Sequence, residues 1–248
     1  AENTTRKVRI FTRQRELPFA GHPNIGTAFT LAATGELGDI TPSIEISFEE
    51  VAGIVPMTVR KDANRPIWCE LKAPETLSLG QTLPVELMAD VLSLTPADIV
   101  TTTHPPQQAS VGLPFIMTEL ASREALERIQ INPNALGAIT KLGIRPSMHQ
   151  YVHSKDEFDI RARMFSGTSP EDPATGSANC ALVGMLSHYQ PAQSGPFSWR
   201  IAQGVEMGRP SVLDGRTQKQ DGVVTDVWIA GTSVMVTDGY LEVGESGE

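Results

Sequence analysis

Apolar and polar positions fall into an arrangement that this chain uses twice. Positions 7–12 alternate as a half-buried strand does, with Val8 and Ile10 set among Lys7, Arg9 and Thr12. After a Pro- and Gly-containing turn, Ile25, Ala28, Phe29, Leu31 and Ala32 cover most of a helix predicted over 22–35, and Gly35 stops it. The second use lies far along the chain. Arg9-Ile10-Phe11-Thr12 runs on to Glu16-Leu17-Pro18-Phe19-Ala20-Gly21-His22, and Arg163-Met164-Phe165-Ser166 runs on to Glu171-Asp172-Pro173-Ala174-Thr175-Gly176-Ser177. Gly21 and Gly176 are 155 positions apart. Beyond Gly176 a second apolar helix is predicted over 175–188, with Ala178, Cys180, Leu182, Val183, Met185 and Leu186. Helices this apolar belong inside a sheet. The chain reads as a duplicated design, and both helix starts offer free N–H groups and the positive end of a macrodipole to an anion such as a carboxylate. If the copies face each other, they enclose one site, with His22 in one where Ser177 stands in the other, and Asp172 opposite Leu17.

Between and beyond the copies the periodicity predicts strands over 44–48, 54–59, 67–71, 110–111, 115–119, 150–153, 158–165, 197–203, 223–229 and 233–237. Positions 74–84 read as a linker, 85–92 as a helix, and 122–129 as a helix with Ser122 as N-cap and Glu124 and Glu127 near its positive end. The expectation is an α+β protein of two similar barrel-like domains, 1–80 and 81–248, each wrapping one helix, with the last strand returning to the first domain. The active-site cleft should lie between them.

Composition narrows the function more than the fold. In 248 residues, 40% hydrophobic, there is enough for one large core or two modest ones, and the repeat favours two. The formal charge is −9 and no Lys/Arg-rich stretch interrupts it, which argues against a nucleic-acid or anionic-membrane surface and for a small-molecule partner. The apolar run 28–33 is far below the roughly 20 residues that cross a bilayer. Two cysteines, Cys69 and Cys180, form no disulfide framework or metal-ligand spacing, so the expected compartment is the cytoplasm.

The ordered motifs Arg-Ile-Phe-Thr at 9–12, Glu-Leu-Pro-Phe-Ala-Gly-His-Pro at 16–23, Glu-Asp-Pro-Ala-Thr-Gly-Ser-Ala at 171–178, Gln203-Gly204 and Met207-Gly208-Arg209-Pro210-Ser211 resemble those of the phenazine-biosynthesis PhzF-like isomerase/epimerase family. The resemblance implies the diaminopimelate-epimerase-like fold and a proton-moving isomerase that needs no cofactor, acts on a small carboxylate and assembles as a homodimer. It also implies that His22, Asp172 and Ser177 are polar catalytic residues, and Gly21, Thr175 and Gly176 line the substrate's binding place. The physical chemistry agrees, since proton transfer beside a carboxylate needs an acid/base and fixed donors. Structural roles compete with each: a cap or core position for His22, a dipole partner for Asp172, a helix cap for Ser177.

Departures from the family pattern matter as much. The family's general-base Glu sits in a Ser-Glu-Thr-like motif upstream of the first strand, and Glu2-Asn3-Thr4-Thr5 does not match it. Glu16 has a twin in Glu171, which points to a shared structural task such as bonding turn amides. The chain opens with Ala1 and enters its first copy at once, so an upstream segment of about fifty residues carrying that Glu is expected. Thiol racemases of the same fold place a Cys just before each helix-starting Gly, where this chain has Ala20 and Thr175, so Cys69 and Cys180 read as small buried hydrophobes. Such a racemase remains the third reading, behind a non-catalytic carboxylate-binding protein. His149 and His153, on a predicted strand, are poorly spaced to share a metal, and none is expected. Arg209 could cover a substrate carboxylate, although a turn is the simpler role for positions 208–211.

Overall fold

The structure, a computed structural model, describes residues 4–12 and 15–240; Glu2 lies outside the described residues. Short strands β1 (Arg6–Lys7), β2 (Ile10–Phe11) and β3 (Glu16–Leu17) lead into α1 (Gly21–Ala33). The single strand expected over 7–12 is therefore broken. Its β2 half turns back to pair with β3, while β1 adds in parallel to β4 (Ser43–Glu50). Next come β5 (Gly53–Asp62), β6 (Arg65–Lys72) and β7 (Ser78–Thr82), and the expected linker thus contains a strand. α2 (Val85–Leu92), β8 (Gln107–Ser110), β9 (Pro114–Glu119), α3 (Arg123–Arg128) and α4 (Pro133–Lys141) follow. The chain closes with β10 (Ser147–His153), β11 (Ile160–Ser166), α5 (Gly176–Tyr189), β12 (Gly195–Gln203), β13 (Ser211–Gln220) and β14 (Val223–Thr232).

Twelve strands form one continuous sheet in the order β1-β4-β5-β6-β14-β13-β12-β11-β10-β9-β8-β7. The join between the halves is β14 against β6, antiparallel, with Ile229 opposite Leu71. It is reinforced from above. Arg216 on β13 reaches over the Trp228 ring of β14, 3.7 Å from its centroid, to make a fork of 2.7 and 2.5 Å with Glu70 on β6.

Both repeat helices are covered by this sheet. α5 is buried continuously from Gly176 to Ser187, packed on β8, β9, β12, β13 and β14, because hydrophobic residues occupy every face of it. α1 lies on β5, β6 and β14 through Ala28, Phe29 and Ala32. Their apolar side chains merge into one core with Phe48, Val55, Met57, Leu71 and Ile229. A second core lies on the outer face of β9 and β10, where Met88, Leu92, Leu126 and Ile139 of α2, α3 and α4 meet Ile116 and Met148. The two cores are therefore not one per copy of the repeat, since α1 and α5 share the first.

Candidate functional site

The two copies of the turn meet backbone to backbone. A Cβ placed on Gly21 would lie 2.8 Å from the Cα of Gly176, and one on Gly176 would lie 3.1 Å from the Cα of Gly21. Only glycine at both positions lets the helix starts come this close. Each helix begins at its Gly, one residue before the start predicted for the first and one residue after that predicted for the second, so Ser177 falls inside the first turn and does not cap. Neither Ala20 nor Thr175 caps with a side chain, and neither first turn carries an acid. Two sets of orphan N–H groups and two positive helix ends therefore converge.

A groove opens beside this junction as two chambers that share His22, Ala174, Pro210 and Ser211. One, about 360 Å³, is walled by Ile25, Val212, Ile229 and Gly176, with Thr232 and Ser233 on its edge. The other, about 510 Å³, adds Asp172, Pro173 and Arg209. The ionisable side chains lining the groove are thus one imidazole, one carboxylate and one guanidinium. His22 is exposed at the second position of α1 and reaches both chambers. Arg209 both closes a turn and borders the groove. Its backbone N–H closes the turn onto the Gly204 carbonyl at 2.9 Å while its side chain lines the groove. Gly204 must be glycine: φ is +77° and a Cβ would stand 2.4 Å from the Arg209 carbonyl oxygen.

Asp172 is held by a directional chain of hydrogen bonds. The Thr175 hydroxyl donates to Asp172 Oδ2 at 2.7 Å and accepts from Gln203 Nε2 at 3.0 Å. Gln203 Nε2 also donates to the Asp172 carbonyl at 2.7 Å, while its Oε1 accepts from the Thr175 amide and from Asn179 Nδ2, at 3.2 and 2.7 Å. Asn179 Nδ2 is shared with the Thr175 carbonyl at 3.0 Å, so its Oδ1 is the atom facing His149 Nε2, 3.1 Å away. That fixes the His149 tautomer with the proton on Nε2, and leaves Nδ1 buried without a partner. Burial, only partly offset by Asn179 and the charge of Asp172, pushes the fully enclosed His149 down to about 4, so it is a neutral post at the far end of the chain. Thr175 is therefore a second support for Asp172 rather than a groove wall, and Gly21 and Ser177 are likewise buried outside the lining.

The twin glutamates do share a task, with a different partner from the turn amides expected. Arg9 forks onto Glu16 with two bonds of 2.9 Å, and Arg163 onto Glu171 with bonds of 3.0 and 2.7 Å, each bracing the turn before its helix. Cys69 on β6 and Cys180 within α5 are buried away from the groove, with burial pushing Cys69 up to about 12 and Cys180 further still, so neither suits a thiolate mechanism. Among the described residues no group of three or more His, Cys, Asp or Glu side chains is arranged to hold a metal ion, and no helix is long and apolar enough to cross a membrane.

A sheet wrapped around two equivalent helices whose glycine-started ends meet at one groove is the diaminopimelate-epimerase-like fold. The chain belongs to the phenazine biosynthesis-like (PhzC-PhzF) family, which matches residues 1–239. It is 31% identical to a protein named as an uncharacterized isomerase from Mesorhizobium japonicum, over 95% of this chain and 79% of that one. It is 29% identical to the trans-2,3-dihydro-3-hydroxyanthranilate isomerase of Pseudomonas aeruginosa, over 94% and 78%. The crystal structure of a PhzF-family protein from Bacillus anthracis superposes with a TM-score of 0.81 over 96% of this chain and 80% of that chain, at 22% identity. A hydroxyproline epimerase from Agrobacterium vitis shares the fold at 12% identity, with a TM-score of 0.62 over 91% and 67%. The chain is thus an isomerase by family.

Proposed function

We propose that this isomerase works without a cofactor, moving a proton between carbons of a small carboxylate in the groove where α1 and α5 begin. The observation that carries this reading is the Gly21–Gly176 contact, which sets His22 and Asp172 on one groove although they are 150 positions apart in the chain. Arg209 and the uncapped N–H groups hold the substrate's carboxylate. Asp172, aimed by Thr175 and Gln203, and His22 are the polar partners of that transfer, relaying protons for the charge that develops meanwhile. The substrate's apolar part rests on Ile25, Val212 and Ile229. Because relatives are named trans-2,3-dihydro-3-hydroxyanthranilate isomerase, that acid is the first substrate to try. A cytoplasmic location, supported by two free buried thiols, and a homodimeric assembly complete the proposal.

The test is incubation of the purified protein with trans-2,3-dihydro-3-hydroxyanthranilate in D2O, followed by proton NMR. The reading expects deuterium at a carbon of the product, and the same rate when Cys69 or Cys180 is replaced by Ala. Binding of the acid with no exchange would identify a carboxylate-binding protein instead. Loss of exchange on replacing a cysteine would restore the thiol reading.

A further inference from the structure

The repeat is broken at one buried place. Asn24 and Asn179 are the fourth residues of α1 and α5, and the strand that follows each helix ends beside that Asn, β4 at Glu50 and β12 at Gln203. In the C-terminal copy the Asn179 and Gln203 amides satisfy each other and the turn. In the N-terminal copy four polar atoms are stranded. Asn24 is 0% exposed with neither Nδ2 nor Oδ1 bonded, and both carboxyl oxygens of Glu50, a residue 9% exposed, are also without a partner. Orphans of this kind are costly and rare. An ionised Glu50 does not cure the fault, because a carboxylate can accept from Asn24 Nδ2 but has no proton for Asn24 Oδ1. A neutral carboxyl can do both, offering one donor and one acceptor side by side as a primary amide does.

We propose that Glu50 is the N-terminal counterpart of Gln203, a carboxyl carried as the neutral acid and paired with the Asn24 amide, and that this acid–amide pair positions the start of α1 and hence His22. Glu50 is then a positioning residue, and the part concerning His22 rests on the proposed function. Burial raises Glu50 to about 7 from the usual 4.5, with Asn24 only partly offsetting it. The charges nearby do not pin the carboxylate form. Lys7, Arg9, Glu16 and Glu49 line the small cavity that reaches Glu50, but Arg9 is committed to Glu16, and none of the four bonds to Glu50. On β5 the residue opposite Glu50 is Gly53, and from α1 Asn24 faces it.

The sign of the pH dependence follows from linkage. A carboxyl whose folded value is raised holds its proton in the native state while the unfolded chain loses it, so stability falls from about pH 4.5 to about 7 and is level above. The experiment is carbon-13 carboxyl NMR of the wild-type protein across pH, with the Glu50 signal assigned by its absence in Glu50→Gln, together with melting curves of both proteins. The proposal expects a Glu50 midpoint more than one unit above 4.5. It also expects Glu50→Gln to gain on wild type by roughly 3 °C or more in Tm between pH 5 and 8. A midpoint near 4.5, or a Glu50→Gln protein equally destabilised at every pH, overturns it. The positioning role has its own readout. Deuterium exchange by wild type should fall above the Glu50 midpoint while Glu50→Gln holds its rate; identical pH profiles overturn that role. The carboxyl titration decides the acid–amide pair even if no exchange is found with any acid.

Discussion

His149 shows how a residue can matter to a groove it does not touch. Its ring is 0% exposed, its Nε2–H ends the chain that holds Asp172, and its enclosure keeps it neutral. Because its folded value is depressed to about 4, the stability it contributes is complete above the ordinary histidine value near 6.5 and is lost as pH falls through about 4. Acidification over that window should therefore cost up to about 3 kcal/mol from this residue, with desolvation of His104 acting in the same direction. Ring NMR of His149 should give a midpoint near 4; a midpoint near 6.5 would show that it is solvated. Little of this was legible beforehand. His22 and Asp172 announced themselves by motif, but an Asn inside an apolar helix carries no signal, and Asn179 and Gln203 become partners only when α5 and β12 are packed.

The two arginine forks repeat one design in two environments. Arg163 and Glu171 have side chains 11% and 9% exposed, whereas Arg9 and Glu16 are 59% and 30% exposed. Water screens the second pair, and removing one partner of the first strands a nearly buried charge. Arg163→Ala should cost about 3 kcal/mol and Arg9→Ala under about 1 kcal/mol in denaturant melts, a gap that equal losses would refute. The same scale explains which elements the sequence hid. β13 was missed because its buried face carries Leu213, Gly215, Thr217 and Lys219, so no apolar alternation appears. α4 was missed although Asn132 caps it and Pro133 begins it, since Gly137 interrupts its short apolar stripe. Positions 233–237 alternate convincingly, yet Val234 and Val236 are exposed and no ladder forms there among the described residues. Alternation reports a preference, and pairing needs a neighbour.

At the scale of the molecule, duplication is what makes the site. Neither copy alone assembles the groove: α1 supplies His22 and Ile25, the turn before α5 supplies Asp172, and the β12–β13 turn with the end of β14 supplies the remaining wall. The repeat was visible in the sequence because turn motifs are local. That the copies touch through their glycines was not, because it depends on β14 crossing to β6 and tying both halves into one sheet. The central claim is that residues from the two copies act together on one carbon acid. It is tested most directly by the rate of solvent deuterium incorporation into trans-2,3-dihydro-3-hydroxyanthranilate, compared among wild type, His22→Ala and Asp172→Asn at matched Tm. The account predicts that each replacement alone lowers the rate by about 100-fold or more, with binding of the acid retained. Exchange at the wild-type rate in either variant would contradict it.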